Sequence, residues 1–151
     1  GREAGRGFRL YLQSIAGGEP APITSEGILL STISVSPDGS VAAANWKDGR
    51  PWLFPIAGGE PRPLPGGLPG EFAGAWTGDG NAVYLYRMGM EAPLRLVNVR
   101  DGKAETIRTM RPSDPTGVMW VGPVVMAADG RSYAYDYFRV LSGLYVVSGL
   151  R

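Results

Sequence analysis

The chain has 151 residues, 23 of them glycine and 13 proline, and 44% of it is apolar. That much glycine and proline excludes a helical bundle, and that much apolar content excludes a disordered chain. With 15 basic against 14 acidic residues there is no basic field of the kind that draws nucleic acid. Cysteine is absent, which excludes disulfides and thiolate chemistry, and histidine is absent, which removes the commonest general base and every Ser-His-Asp arrangement.

Gly1 to Arg9 reads as the end of a strand or the loop after it, and Leu10 to Ile15 as the first alternating strand. The hexapeptide that begins at Ile15, Ile-Ala-Gly-Gly-Glu-Pro, returns unchanged 41 residues later at Ile56. A period near ~40 residues with turn signals in register belongs to arrays of small sheets packed on their neighbours. Four elements then recur. The first strand is Ile28 to Val35, Glu71 to Trp76 and Val118 to Met126; the second is Val41 to Trp46, Ala82 to Arg87 and Ser132 to Phe138. Between them stand Ser36-Pro-Asp-Gly39, Thr77-Gly-Asp-Gly80 and Ala127-Ala-Asp-Gly130, tight turns in which glycine supplies positive φ. The third strand is Leu10 to Ile15, Trp52 to Ile56, Leu94 to Val99 and, at the end, Leu144 to Val147. A Gly-Gly or Asp-Gly turn leads from it to a short fourth strand, which in Glu60 to Pro65 carries three prolines and fits only an outer edge.

The expected fold is therefore all-β, a β-propeller fragment of about three four-stranded antiparallel blades, with a partial blade at 1–26, blades at 27–68 and 69–111, and a partial blade at 112–151. A closed propeller has ~4–8 blades, so the chain reads as a fragment of a larger propeller, or as half of a six-bladed ring in which two copies complete each other's broken blade. No run approaches the ~20 apolar residues of a membrane span, so no membrane insertion by this segment is expected.

Few residues point to chemistry. The Asp-Gly aspartates Asp38, Asp79 and Asp129 read as hairpin formers, without the dense Asp-x-Asp-x-Asp-Gly loop of a calcium site. Pro65 to Gly70 lacks the Gly-Lys-Ser/Thr of a phosphate cradle and reads as a link between blades. Arg108 to Pro115 is the longest polar insertion and reads as a connector. Trp52 and Trp76 fall on repeating strand positions and read as packing between blades. The candidate partner-binding residues are Trp46 and Arg50 at the end of one second strand and Tyr137 and Arg139 at the corresponding place in the last unit, aromatics and arginines near loop ends being common interface anchors. A glycosidase-like reading would have to rest on Glu71 and Glu91. No catalytic residue, metal ligand or cofactor is expected.

Ile33-Ser-Val-Ser-Pro-Asp-Gly39, a short strand and then the Gly-Gly-Glu-Pro turn resemble the TolB-type Ser-Pro-Asp-Gly propeller repeat; Thr77-Gly78 and Ala127-Ala128 depart from its Ser-Pro. The closing run Ser132 to Val147 resembles the end of the sensor-like propellers attached to some bacterial eukaryotic-type serine/threonine protein kinases. These resemblances imply a non-catalytic module that binds a protein, peptide or small ligand, a C-terminal sensor or scaffold in a larger bacterial protein, and an extracytoplasmic or periplasmic setting. The alternative is the gating propeller of a prolyl-oligopeptidase-like hydrolase, its catalytic domain elsewhere. The chain itself carries no His-Arg-Asp, Asp-Phe-Gly or glycine-rich kinase signature.

Overall fold

The computed structural model describes residues 1–29, 31–127, 129–146 and 148–149. Leu30 of the first expected strand, Ala128 of the third Asp-Gly turn and Val147 at the end of the last expected strand lie outside the described residues. Within them every regular element is a strand. Two complete antiparallel sheets run in sequence order: β3 (Ser34–Val35), β4 (Val41–Asn45), β5 (Pro51–Pro55) and β6 (Arg62–Pro63), then β7 (Glu71–Trp76), β8 (Ala82–Arg87), β9 (Ala92–Asn98) and β10 (Ala104–Met110). A hairpin precedes them, β1 (Tyr11–Ser14) with β2 (Gly17–Pro22), and another follows, β11 (Val118–Met126) with β12 (Tyr133–Arg139). The first strands of successive units lie side by side, β3 against β7 and β7 against β11, as blades do around a propeller axis. Gly74 permits the second approach, because a Cβ there would sit 2.7 Å from the Val124 carbonyl oxygen.

Apolar layers fill the spaces between successive units. Ala43, Leu53 and Trp76 meet Val83, Leu85 and Val97 between the two whole blades. Tyr84, Tyr86 and Leu94 meet Val118, Val121 and Val124 beyond them. Leu10, Phe54, Trp46 and Trp52 join the first hairpin to the first whole blade. The second strands of the two whole blades are buried on both faces: β8 sends Val83 and Leu85 to one neighbour and Tyr84 and Tyr86 to the other. A strand between two blades has no solvent face, and its sequence reads as a continuous apolar run.

Four other details differ from the sequence expectation. Ile28 bridges Trp46 and Ser34 pairs with Ala43, so six residues of the first strand advance against three of its partner, and only Ser34–Val35 remains as ladder. The fourth strands are unequal: the proline-bound β6 has 2 residues and β10 has 7. The repeated hexapeptide takes two conformations. Its first copy turns at Ile15 and Ala16 and enters β2 at Gly17, with Ile15 fully exposed; its second is held by the Ile56 N–H on the Ser40 carbonyl at 2.9 Å, which leaves Ile56 half-buried. Last, 141–146 forms no strand, and Leu144 and Tyr145 are 92% and 90% exposed. A third strand there would gain one ladder while both of its faces stayed wet.

At the other end the Gly1 ammonium and carbonyl bond to Arg9 at 3.0 and 2.9 Å. In the next unit Trp46 donates to Arg50 in the same place, so Gly1 stands where a second strand ends.

Candidate functional site

The carboxylates of the Asp-Gly turns and of Glu71 are committed to structure. In the first Asp-Gly turn the Ser36 hydroxyl, the Ser40 amide and the Ser40 hydroxyl all donate to Asp38 Oδ1, at 2.6, 3.0 and 2.8 Å, while Ser36 Oγ accepts the Val41 N–H. Thr77 reproduces this in the second turn, donating to Asp79 at 2.6 Å and accepting from the Ala82 N–H, with Asn81 in the place of Ser40. The loss of Ser-Pro is therefore neutral there, since threonine supplies the same hydroxyl. These hydrogen bonds, the Ser36 and Thr77 hydroxyls foremost, hold both carboxyls down at about 2. In the third turn Ala127 has no hydroxyl, and among the described residues Asp129 keeps one bond, to the Arg131 N–H at 2.9 Å. Glu71 is buried: it takes Arg95 at 2.6 Å and the Leu68 N–H at 2.9 Å, and its own carbonyl accepts from Asn45 Nδ2 at 2.7 Å, so it locks the link between the whole blades. Glu91 is exposed against Arg111. Glu71 and Glu91 thus have separate partners, and no acid-base pair forms from them.

The four candidate binding residues fall in two separate places. Trp46 is half-buried; its ring meets Trp52 edge-on at 4.4 Å and its Nε1–H donates to the Glu26 carbonyl at 3.3 Å. Arg50 is exposed beside it, with its amide on Asp48 Oδ1. Tyr137, on β12, lies under the Arg139 guanidinium at 5.6 Å, and that guanidinium grips the Asp114 carbonyl and carboxylate at 2.6 and 3.3 Å. Arg108–Met110 of the expected insertion belong to β10, and Arg139 ties the remainder, at Asp114, to β12. No hydrogen bond, ion pair or ring contact among the described residues joins Trp46 and Arg50 to Tyr137 and Arg139.

The sequence reading missed a more exposed pair. Trp120 and Phe138 sit opposite each other on β11 and β12, stacked at 4.5 Å and 41% and 46% exposed, with Met119 and Val125 also open on β11. Their signal was present as large apolar residues at Met119, Trp120 and Val125, between the positions that face the core. The outer edge of β12 has no neighbouring strand among the described residues. The patch thus combines an aromatic face with free backbone donors and acceptors, a combination that recognises polypeptide.

No protein-family model matches the chain, and no curated protein does either. Among solved structures it is similar to a putative TolB from Agrobacterium tumefaciens (TM-score 0.63, 19% identity, 85% of this chain and 47% of that one) and to TolB from Acinetobacter baumannii (TM-score 0.63, 20% identity, 84% and 31%). The chain spans about half and about a third of those proteins. At this identity the likeness is one of fold, and the fold is that of a TolB-type β-propeller of about three blades.

Proposed function

We propose that this propeller piece is a non-catalytic module that binds protein, and that its recognition surface is the open hairpin β11–β12. The observation that carries the reading is Trp120 stacked on Phe138 beside a free strand edge. The engagement of Asp38, Asp79 and Glu71 in their own turns and links supports the absence of catalysis. The wider setting, a C-terminal sensor or scaffold region of a bacterial protein such as a serine/threonine kinase, rests on the sequence resemblance of Ser132 to Val147.

The partner that fits this edge is the third strand of a second copy, closing a six-bladed ring. In both whole blades the third strand meets the second in one register, Leu53 on Ala43 and Leu96 on Tyr84. Ser132 stands in its turn as Val41 and Ala82 do in theirs, each carbonyl accepting the N–H five residues back. The 41-residue shift carries Leu53 to Leu12. The same register then sets Ala134 of one copy opposite Leu12 of the next. On association Gly1 leaves Arg9, and Tyr137 of the other copy takes Gly1's place.

The chain has no cysteine of its own, so a Leu12→Cys/Ala134→Cys variant tests the arrangement directly. Oxidation should yield covalent dimers, and a Gln13→Cys/Ala134→Cys pair, one residue out of register, should yield few. Light scattering should give twice the 16.1 kDa chain mass for the unmodified protein. A monomer at every concentration overturns the ring.

A further inference from the structure

A cleft of about 380 Å³ opens between the two whole blades on the side of the Asp-Gly turns. Its origin lies in β6. Prolines at 61, 63 and 65 remove three backbone donors and leave the outer strand 2 residues long, so Leu53, Val99 and Trp76 line an opening between the blades. The Trp76 ring is fixed by its Nε1–H on the Ser34 carbonyl at 3.2 Å.

The rims differ in charge. Asp38 and Asp79 stand where the inner strands turn, and both stay ionised above about pH 2. Arg62, Arg100 and Glu60 stand where the outer strands turn. Arg62 gives two of its N–H groups to the Val99 carbonyl at 3.3 and 3.4 Å. Among the described residues neither the Arg100 guanidinium nor the Glu60 carboxylate has a hydrogen bond or ion pair, and both residues are exposed. An apolar floor between an anionic inner rim and an outer rim with a free guanidinium is complementary to one class of molecule.

We propose that this cleft binds a small zwitterion with an apolar body, an apolar amino acid or dipeptide. The ammonium lies toward Asp38 and Asp79, the carboxylate on Arg100, and the side chain against Leu53 and Trp76. The volume is in the lower part of the ~300–1,000 Å³ range of small-molecule sites. Glu60, on the same rim as Arg100, opposes the carboxylate and weakens binding. The site lies on complete blades, so it is independent of the proposed ring.

The test uses the unmodified chain with its four tryptophans fluorinated, each resonance assigned through a Trp→Phe variant. Leucyl-leucine should move the Trp76 resonance and saturate with Kd below ~1 mM. Its N-acetylated amide, which has lost both charges, should leave that resonance in place. Arg100→Ala should weaken binding ~10-fold, about the worth of one charge-assisted hydrogen bond, and Glu60→Gln should tighten it ~3-fold. Both substitutions are at the surface, and the other three tryptophan signals verify the fold. A stationary Trp76 resonance, an equal response to the blocked peptide, or unchanged affinity in Arg100→Ala would each overturn the site.

Discussion

Arg95→Met removes one half of a buried ion pair and leaves the other in place. The Glu71 side chain is 4% exposed and that of Arg95 19%, with 2.6 Å between their charged atoms. Without Arg95 the Glu71 carboxylate keeps a single hydrogen bond, the Leu68 N–H at 2.9 Å. Breaking such a pair from one side costs ~3–5 kcal/mol, and partial wetting of Arg95 together with the surviving amide bond places this case near ~3 kcal/mol. Glu71→Gln removes the charge but keeps an acceptor for Leu68, a loss of ~1–2 kcal/mol. The double variant should then be no less stable than Arg95→Met alone, because the stranded charge has gone. In urea, with a slope near ~2 kcal/mol/M, Arg95→Met should lower the unfolding midpoint by ~1.5 M. A fall below ~0.3 M, or strict additivity in the double variant, would refute the argument that this pair locks the two blades.

Acid should weaken the protein through the turn aspartates. The folded carboxyls of Asp38 and Asp79 lie at about 2, below the ~3.9 of an unfolded chain, so their contribution is whole above ~pH 5 and is lost as pH falls toward 2. Thermal melts should show Tm dropping across that window, and Asp38→Asn/Asp79→Asn should flatten the drop; an unchanged slope would contradict the assignment. Gly66→Ala should be far more harmful than Gly39→Ala. Both glycines have positive φ, 71° and 73°, but a Cβ at Gly66 runs into the Gly102 carbonyl while one at Gly39 meets open space. Gly39→Ala should cost ~1 kcal/mol in chemical denaturation and Gly66→Ala several times that, so equal losses would count against the packing described for this link.

Local turn chemistry made the repeat legible. Asp-Gly after a strand demands the same backbone wherever it stands, so Glu71–Trp76, Ala82–Arg87 and Val118–Met126 could be placed to the residue. The bulge between Ile28 and Ser34, the length of β10 and the double burial of β8 were not legible, because each depends on what lies across the blade. The candidate site shows the same division. Trp46 was singled out for its place near a loop, yet Trp52 and the Glu26 carbonyl draw it into packing. Trp120 was passed over as one apolar residue among many, and only the pairing with Phe138 on an uncovered face distinguishes it.

The edges of the sheets are protected unequally. Proline breaks the outermost strand of the first whole blade, and Glu105 and Arg108 mark that of the second, so neither offers a stray chain a clean template. Tyr133–Arg139 carries Asp136 and Arg139 but no proline or lysine, and five of its seven residues are aromatic or alanine, so its guard is charge alone on a more apolar strand. Among the described residues β12 pairs with β11 alone, so its other row of backbone donors and acceptors is the one a further strand, from whatever source, would extend.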